Sequence, residues 1–189
     1  MSLSTIRRRA LAALGSLAAA AAWAPLAAQA QDEGRLRIGV LLPMTGPFAS
    51  TGRQMEAAIK LFMAQQGDTV AGRKVELLVK DDTGNADVAR RLAQDLLVND
   101  KVHVLAGFGL TPLAMAVAPL ATQAKVPLVV MGAATSSITE ASPFVVRSSF
   151  TVPQVVTVLA DWALRNNVRR VVSLVTDYAP GVDSARYFT

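Results

Sequence analysis

Three short loops concentrate the groups in this sequence that are suited to chemistry. They are residues 43–52 (Pro-Met-Thr-Gly-Pro-Phe-Ala-Ser-Thr-Gly), 107–112 (Gly-Phe-Gly-Leu-Thr-Pro) and 131–135 (Met-Gly-Ala-Ala-Thr). They offer hydroxyls and backbone N–H groups and almost no charge, a set suited to holding a small anionic molecule by hydrogen bonds. Thr111 followed by Pro112 reads as a helix N-cap with proline at the first helical position. A helix N-terminus favours a carboxylate by about 0.3–1 kcal/mol, and hydrogen bonds from hydroxyls to a charged group add about 1.5–3 kcal/mol each. A plainer reading treats Thr111 only as a cap and Thr135 only as a turn residue. The residues taken alone leave both readings open.

Catalytic and metal chemistry finds less support. His103 is the only histidine, stands between valines in a strand pattern, and has no nearby acid or hydroxyl as orienter or nucleophile. Asp81-Asp82 followed by Thr83-Gly84-Asn85 fits a strand-to-helix turn better than a cation site. Gly107-Phe108-Gly109 lacks the third glycine of a dinucleotide fingerprint and follows the third strand rather than the first. Ser136-Ser137 has no nucleophile-elbow context. Without cysteine there is no disulfide framework, thiol catalysis or cysteine zinc site. The expectation is a protein with no enzymatic activity, no cofactor, no metal site and no catalytic residues.

The elements that must position the three loops alternate in type. Residues 35–42 alternate and then become continuously apolar, as a strand entering a buried sheet does. Met55, Ala58, Ile59, Phe62 and Met63 recur at helical spacing. Residues 74–80 form an alternating second strand, and Val88, Leu92 and Leu96 give the next helix its apolar face. Residues 102–106 are a third strand, and Leu113, Ala116, Val117 and Leu120 line a helix that Pro119 is expected to kink. Residues 126–130 are a fourth strand and 144–147 a short fifth. Thr151-Val152-Pro153 opens a further helix, and residues 170–175 read as one more strand. Successive βα units predict an α/β fold with a doubly wound parallel sheet and right-handed crossovers. In such a sheet the loops at the strands' carboxyl ends share one edge, where ligands bind.

The first thirty residues stand apart. Arg7-Arg8-Arg9, an alanine- and leucine-rich run, then Ala28-Gln29-Ala30 make a secretory signal peptide cleaved after Ala30. Pro25 and the weakly apolar alanines argue against a membrane anchor, the competing reading. Twin-arginine export stays open beside the general route. The whole sequence has 19 basic and 14 acidic side chains, a formal charge of +5; without the three leader arginines, 16 against 14 leaves +2. That balance, with no basic cluster interleaved with aromatics, predicts no nucleic-acid partner.

The residues 39–49 (Gly-Val-Leu-Leu-Pro-Met-Thr-Gly-Pro-Phe-Ala) resemble the opening of periplasmic solute-binding proteins of the branched-chain amino acid ABC transporter type. Val104-Leu105-Ala106-Gly107 with its helix, residues 126–135, and residues 175–181 (Val-Thr-Asp-Tyr-Ala-Pro-Gly) continue the likeness in order. The resemblance implies two similar α/β lobes of the type I periplasmic binding fold, a periplasmic location, an ABC membrane permease as partner, and a monomer when full length. It implies that Thr111 binds a ligand carboxylate, that Ala133 contributes a backbone group and Thr135 a hydroxyl, and that Phe48 and Tyr178 are the aromatic candidates. The family's usual first-loop aromatic falls near Thr51, and the disulfide common in this lobe is missing. A branched-chain or other amino acid is the implied solute, with an aromatic or other organic acid equally compatible. The alternative of another class is the extracellular sensing lobe of a signalling receptor. The expected division is a leader at 1–30, a first ligand-binding lobe at 31–147, and a crossing with an incomplete start of a second lobe at 148–189.

Overall fold

A computed structural model describes residues 34–188. The expected signal peptide, with its expected cleavage after Ala30, lies outside the described residues. In chain order the strands are β1 (Arg35–Leu42), β2 (Thr69–Val70), β3 (Arg73–Asp81), β4 (Val104–Gly107), β5 (Leu128–Val130) and β6 (Val145–Arg147). The helices are α1 (Ala49–Gln66), α2 (Ala86–Val98), α3 (Thr111–Ala124), α4 (Val152–Arg165) and α5 (Ala179–Phe188), with a 3-10 turn at Ser136–Glu140. No helix among the described residues is long and apolar enough to cross a membrane.

The six strands lie in the order β2-β3-β1-β4-β5-β6, with β1, β4, β5 and β6 parallel and the β2–β3 hairpin antiparallel. This is the expected doubly wound α/β fold, with one addition. The hairpin's two central residues, Ala71 and Gly72, both have positive φ, the turn geometry that matches strand twist. Two residues of β2 are too short to show a period, so the sequence pattern does not reveal them. Thr69–Lys74 and residues 34–36 form one compact unit, within which the Arg73 guanidinium donates to the Arg35 carbonyl. Arg37–Asp68 and residues 75–188 form the other, which carries the three loops.

The apolar run at the end of β1 is explained by burial on both faces. Leu41 packs with Leu96, Leu105, Leu113, Val117 and Leu128 beneath α2 and α3, while its neighbours Val40 and Leu42 pack with Ala106, Met55 and Ile59 on the α1 side. Successive strand side chains point to opposite faces, so only a continuous apolar stretch fills both. Each fully buried large aliphatic contributes about 1.5–3 kcal/mol. On α1, Met55 and Ile59 join this packing but Phe62 remains exposed, so the apolar face expected there is narrower than its spacing suggests. Asn85 caps α2, its side-chain oxygen accepting from the N–H groups of Asp87 and Val88. Helix α3 is continuous across Pro119, an exposed position.

Residues 170–175 depart from expectation. They form no strand, and Val172 and Leu174 are 97% and 99% exposed. A strand exists only through hydrogen bonds to a neighbouring strand, and no described segment pairs with this one.

Candidate functional site

The parallel register aligns Leu41 with Gly107, Gly107 with Val130, and Val130 with Arg147. The chain therefore leaves all four strands at one edge, and the three hydroxyl-bearing loops start there. In a sheet of this order the chain reverses direction of winding between β1 and β4, the position at which doubly wound sheets leave a crevice.

Gly107 allows the close approach. A Cβ on it would lie 2.0 Å from the Leu41 carbonyl oxygen, and its φ is +114°. Gly107 thus serves the close packing of the ends of β1 and β4. Phe108 is itself at positive φ, a cost offset by complete burial of its ring. Its carbonyl accepts from the Ala133 N–H at 3.0 Å, and the Gly107 carbonyl accepts from Met131 N–H at 2.7 Å. Gly132 comes so near Gly109 that a Cβ would sit 3.1 Å from that residue's Cα. The second and third loops are therefore joined as one surface.

On that surface Thr111 and Thr135 meet. Their hydroxyl oxygens lie 2.7 Å apart in a buried hydrogen bond across 24 residues of sequence. Thr111 is not the cap that its sequence suggests: Leu110 holds the N-cap position, and Thr111 is the first helical residue. With its side chain released from capping, Thr111 directs its hydroxyl at Thr135. The Thr111 N–H, in the first turn of α3, donates to no backbone carbonyl among the described residues. Ala133 is buried, and its N–H is already committed to Phe108, which leaves its carbonyl as the backbone group to offer.

The aromatic candidates are placed differently. Phe48 stands at the start of α1, 44% exposed, with its ring edge beside Gly84. Tyr178 is 41% exposed at the turn into α5, where its carbonyl accepts from the N–H groups of Gly181 and Val182. No hydrogen bond among the described residues joins Tyr178 to the threonine pair.

Of the two aspartates at the end of β3, Asp81 braces the first loop. Asp81 accepts from Met44 N–H at 2.8 Å, Thr45 hydroxyl at 2.6 Å and Thr83 N–H at 2.9 Å. The Thr45 hydrogen bond, with the backbone donors, holds its carboxyl below the ordinary value against a smaller opposing effect of burial. Asp82 is fully buried and accepts from Gly84 N–H through one oxygen, while the other has no partner. Burial pushes its carboxyl up, the Gly84 bond opposes this, and the Asp81 charge adds to it. Among the described residues no group of three or more metal-ligating side chains occurs. His103 accepts from the Arg37 N–H through Nδ1.

Two residues at this edge carry no sequence motif. The Arg147 guanidinium donates to the Thr135 carbonyl at 2.5 Å, and the Asp183 carboxylate accepts from Ser136 N–H at 2.6 Å. Burial lowers the Arg147 value and the Asp183 charge opposes that, but an arginine stays charged at neutral pH.

Known proteins share this architecture. The chain is 45% identical over 187 residues to the Leu/Ile/Val-binding protein homolog 6 of Brucella abortus (strain 2308), covering 97% of this chain and 45% of that protein. The chain thus spans less than half the length of the curated relatives it matches. A solute binding protein of an ABC transporter from Rhodopseudomonas palustris BisB5, solved in complex with 3,4-dihydroxy benzoic acid, is 54% identical with a TM-score of 0.81, over 82% of this chain and 43% of that one. Another, from Rhodopseudomonas palustris HaA2 and in complex with p-hydroxybenzoic acid, is 44% identical with a TM-score of 0.79, over 82% and 42%. The family described as periplasmic binding protein matches residues 35–189. With its sheet order, its converging loops and these relatives in agreement, the chain belongs to the periplasmic binding protein family, of the branched-chain amino acid type.

Proposed function

We propose that this chain is part of an exported solute-binding protein of an ABC importer, and that its solute is an aromatic carboxylic acid. The observation that carries the reading is the buried Thr111–Thr135 hydroxyl pair beside the N-terminus of α3. A carboxylate inserted there takes hydrogen bonds from one or both hydroxyls and from the Thr111 N–H, aided by the helix dipole. The half-exposed Phe48 ring at the same edge offers an apolar face for an aromatic ring to pack on. The protein 54% identical to this chain was solved with 3,4-dihydroxy benzoic acid, which supports the aromatic class. An amino acid also needs a partner for its ammonium group. Asp81, the acid bracing the first loop, already spends both oxygens on Met44, Thr45 and Thr83.

In this reading residues 31–147 are the first ligand-binding lobe, residues 148–189 are the crossing and the opening of a second, and Ala133 and Tyr178 complete the contacts. The protein works in the periplasm as a monomer, delivers solute to a membrane permease and catalyses no reaction. A branched-chain amino acid is the second reading, favoured by the Brucella relative's name. Calorimetry on the protein at the length of its relatives discriminates them. 4-Hydroxybenzoate or 3,4-dihydroxybenzoate is expected to bind at least tenfold more tightly than leucine, isoleucine or valine. Tighter binding of leucine reverses the assignment, and binding of neither class removes the site.

A further inference from the structure

The Thr135–Ser136 peptide bond is gripped at both ends by opposite charges. Its carbonyl accepts from Arg147, at the last position of β6, and its N–H donates to Asp183, in α5. A second terminal nitrogen of Arg147 lies 3.5 Å from the Ala134 carbonyl. Asp183 is buried, with the Ser136 N–H as a hydrogen-bond partner and Arg147 near enough to interact with it electrostatically. A peptide plane pinned through both its C=O and its N–H has lost its rotation, so the residue that precedes it is fixed in direction. That residue is Thr135, whose hydroxyl faces Thr111.

We infer that Arg147 and Asp183 are positioning residues for solute binding, acting through the Thr135–Ser136 peptide to aim the Thr135 hydroxyl. This rests on the reading of Thr111 and Thr135 as the carboxylate site. The two residues stand 12 and 47 positions from their partners in the loop. Because Asp183 belongs to α5, the grip also makes the aim of Thr135 depend on where α5 lies. Charge-assisted bonds at both ends are stronger than neutral ones, which suits a loop that must hold one orientation.

A double-mutant cycle on the protein at the length of its relatives tests this, with 4-hydroxybenzoate affinity read by calorimetry and folding by thermal unfolding. Asp183→Ala is expected to weaken binding about tenfold, and Asp183→Asn, which keeps an acceptor for Ser136, about threefold. In a Thr135→Val background, where there is no hydroxyl to aim, Asp183→Ala should cost less than twofold more. Arg147→Lys, which keeps charge but loses the fork, should follow the same pattern. Equal losses in both backgrounds would make Asp183 a structural residue only and overturn the inference. So would unchanged affinity in Asp183→Ala while Thr135→Val weakens binding, and that result leaves the carboxylate site standing. If Thr135→Val itself binds normally, the site and the inference fall together. Should Asp183→Ala not fold, Asp183→Asn and Arg147→Lys decide the question alone.

Discussion

Residues 34–147 and 148–188 are built from the same kinds of side chain and treat them in opposite ways. In the first stretch Leu41, Leu105, Leu128 and Val130 are completely buried between the sheet and its helices. In the second, Val158, Leu159, Trp162, Val172 and Leu174 are all exposed, and together with Val156, Val171 and Phe188 several of them line an apolar groove of about 460 Å³. The α4 sequence is a good helix in its own right, opened by a capping box in which Thr151 and Gln154 satisfy each other's backbone N–H groups. What differs is partnership. A helix closes its hydrogen bonds locally, whereas an apolar face and a strand need a second element, and the first stretch supplies one at every strand while the second does not.

The largest contrast should appear in truncations of apolar side chains. Leu105→Ala is expected to cost about 2–5 kcal/mol of stability in denaturant unfolding, because it leaves a cavity in a packed core. In the 189-residue chain Leu174→Ala should stay within about 0.5 kcal/mol, as an exposed position does. Equal losses would mean that residues 170–175 are packed in solution.

Binding gives the next effect. Thr111→Val should weaken solute affinity by about 1–3 kcal/mol, since it deletes a buried hydroxyl and keeps the volume. Because Leu110 holds the N-cap position and Thr111 makes no side-chain cap, no capping loss is added. Unchanged affinity in calorimetry would reduce the Thr111–Thr135 pair to packing.

The two caps sharpen the comparison further. Asn85→Ala should lower global stability by about 1 kcal/mol, because α2 is part of the core. Thr151→Ala removes a cap of the same chemistry from α4, whose buried residue is Ala163 alone. If the second stretch opens independently, that change leaves the main unfolding transition where it was and increases hydrogen exchange only in α4. A shift of the main transition as large as that for Asn85→Ala would show the two stretches to be one cooperative unit.

The smallest effects concern charge. Asp81 is held below the ordinary carboxylate value of 3.8, so its stabilisation is present above that pH and lost as pH falls through its lower folded value. Asp82 is raised above the same value, so its ionised form costs stability at neutral pH and the cost disappears on acidification below about 3.8. Urea midpoints for Asp81→Asn should therefore drop at pH 7, and those for Asp82→Asn should rise there, with both differences shrinking at pH 3.5. Asp161→Asn in the exposed pair with Arg165 should change neither midpoint measurably. A fall for Asp82→Asn at pH 7 would show that its unpartnered oxygen has an acceptor role.

Much of the core was legible because its cause is local. Burial on both faces forces the continuous apolar end of β1, and a helical period forces Leu92 and Leu96 onto one side of α2. The turn chemistry of Asn85 and Gly107 likewise follows from the backbone at those positions. By itself the sequence therefore determined the alternating elements, the strand ends at which the loops sit, and the hydroxyl character of those loops. Three matters were decided only by tertiary structure. The Thr111 side chain left its expected cap for a partner 24 residues away. Arg147 and Asp183 met at the two ends of one peptide bond, 12 and 47 positions from their partners. Residues 170–175 kept a strand's composition without becoming a strand. Periodicity is written in neighbouring residues, but a hydrogen-bond partner is a point in space, and only the folded chain says which distant residue occupies it.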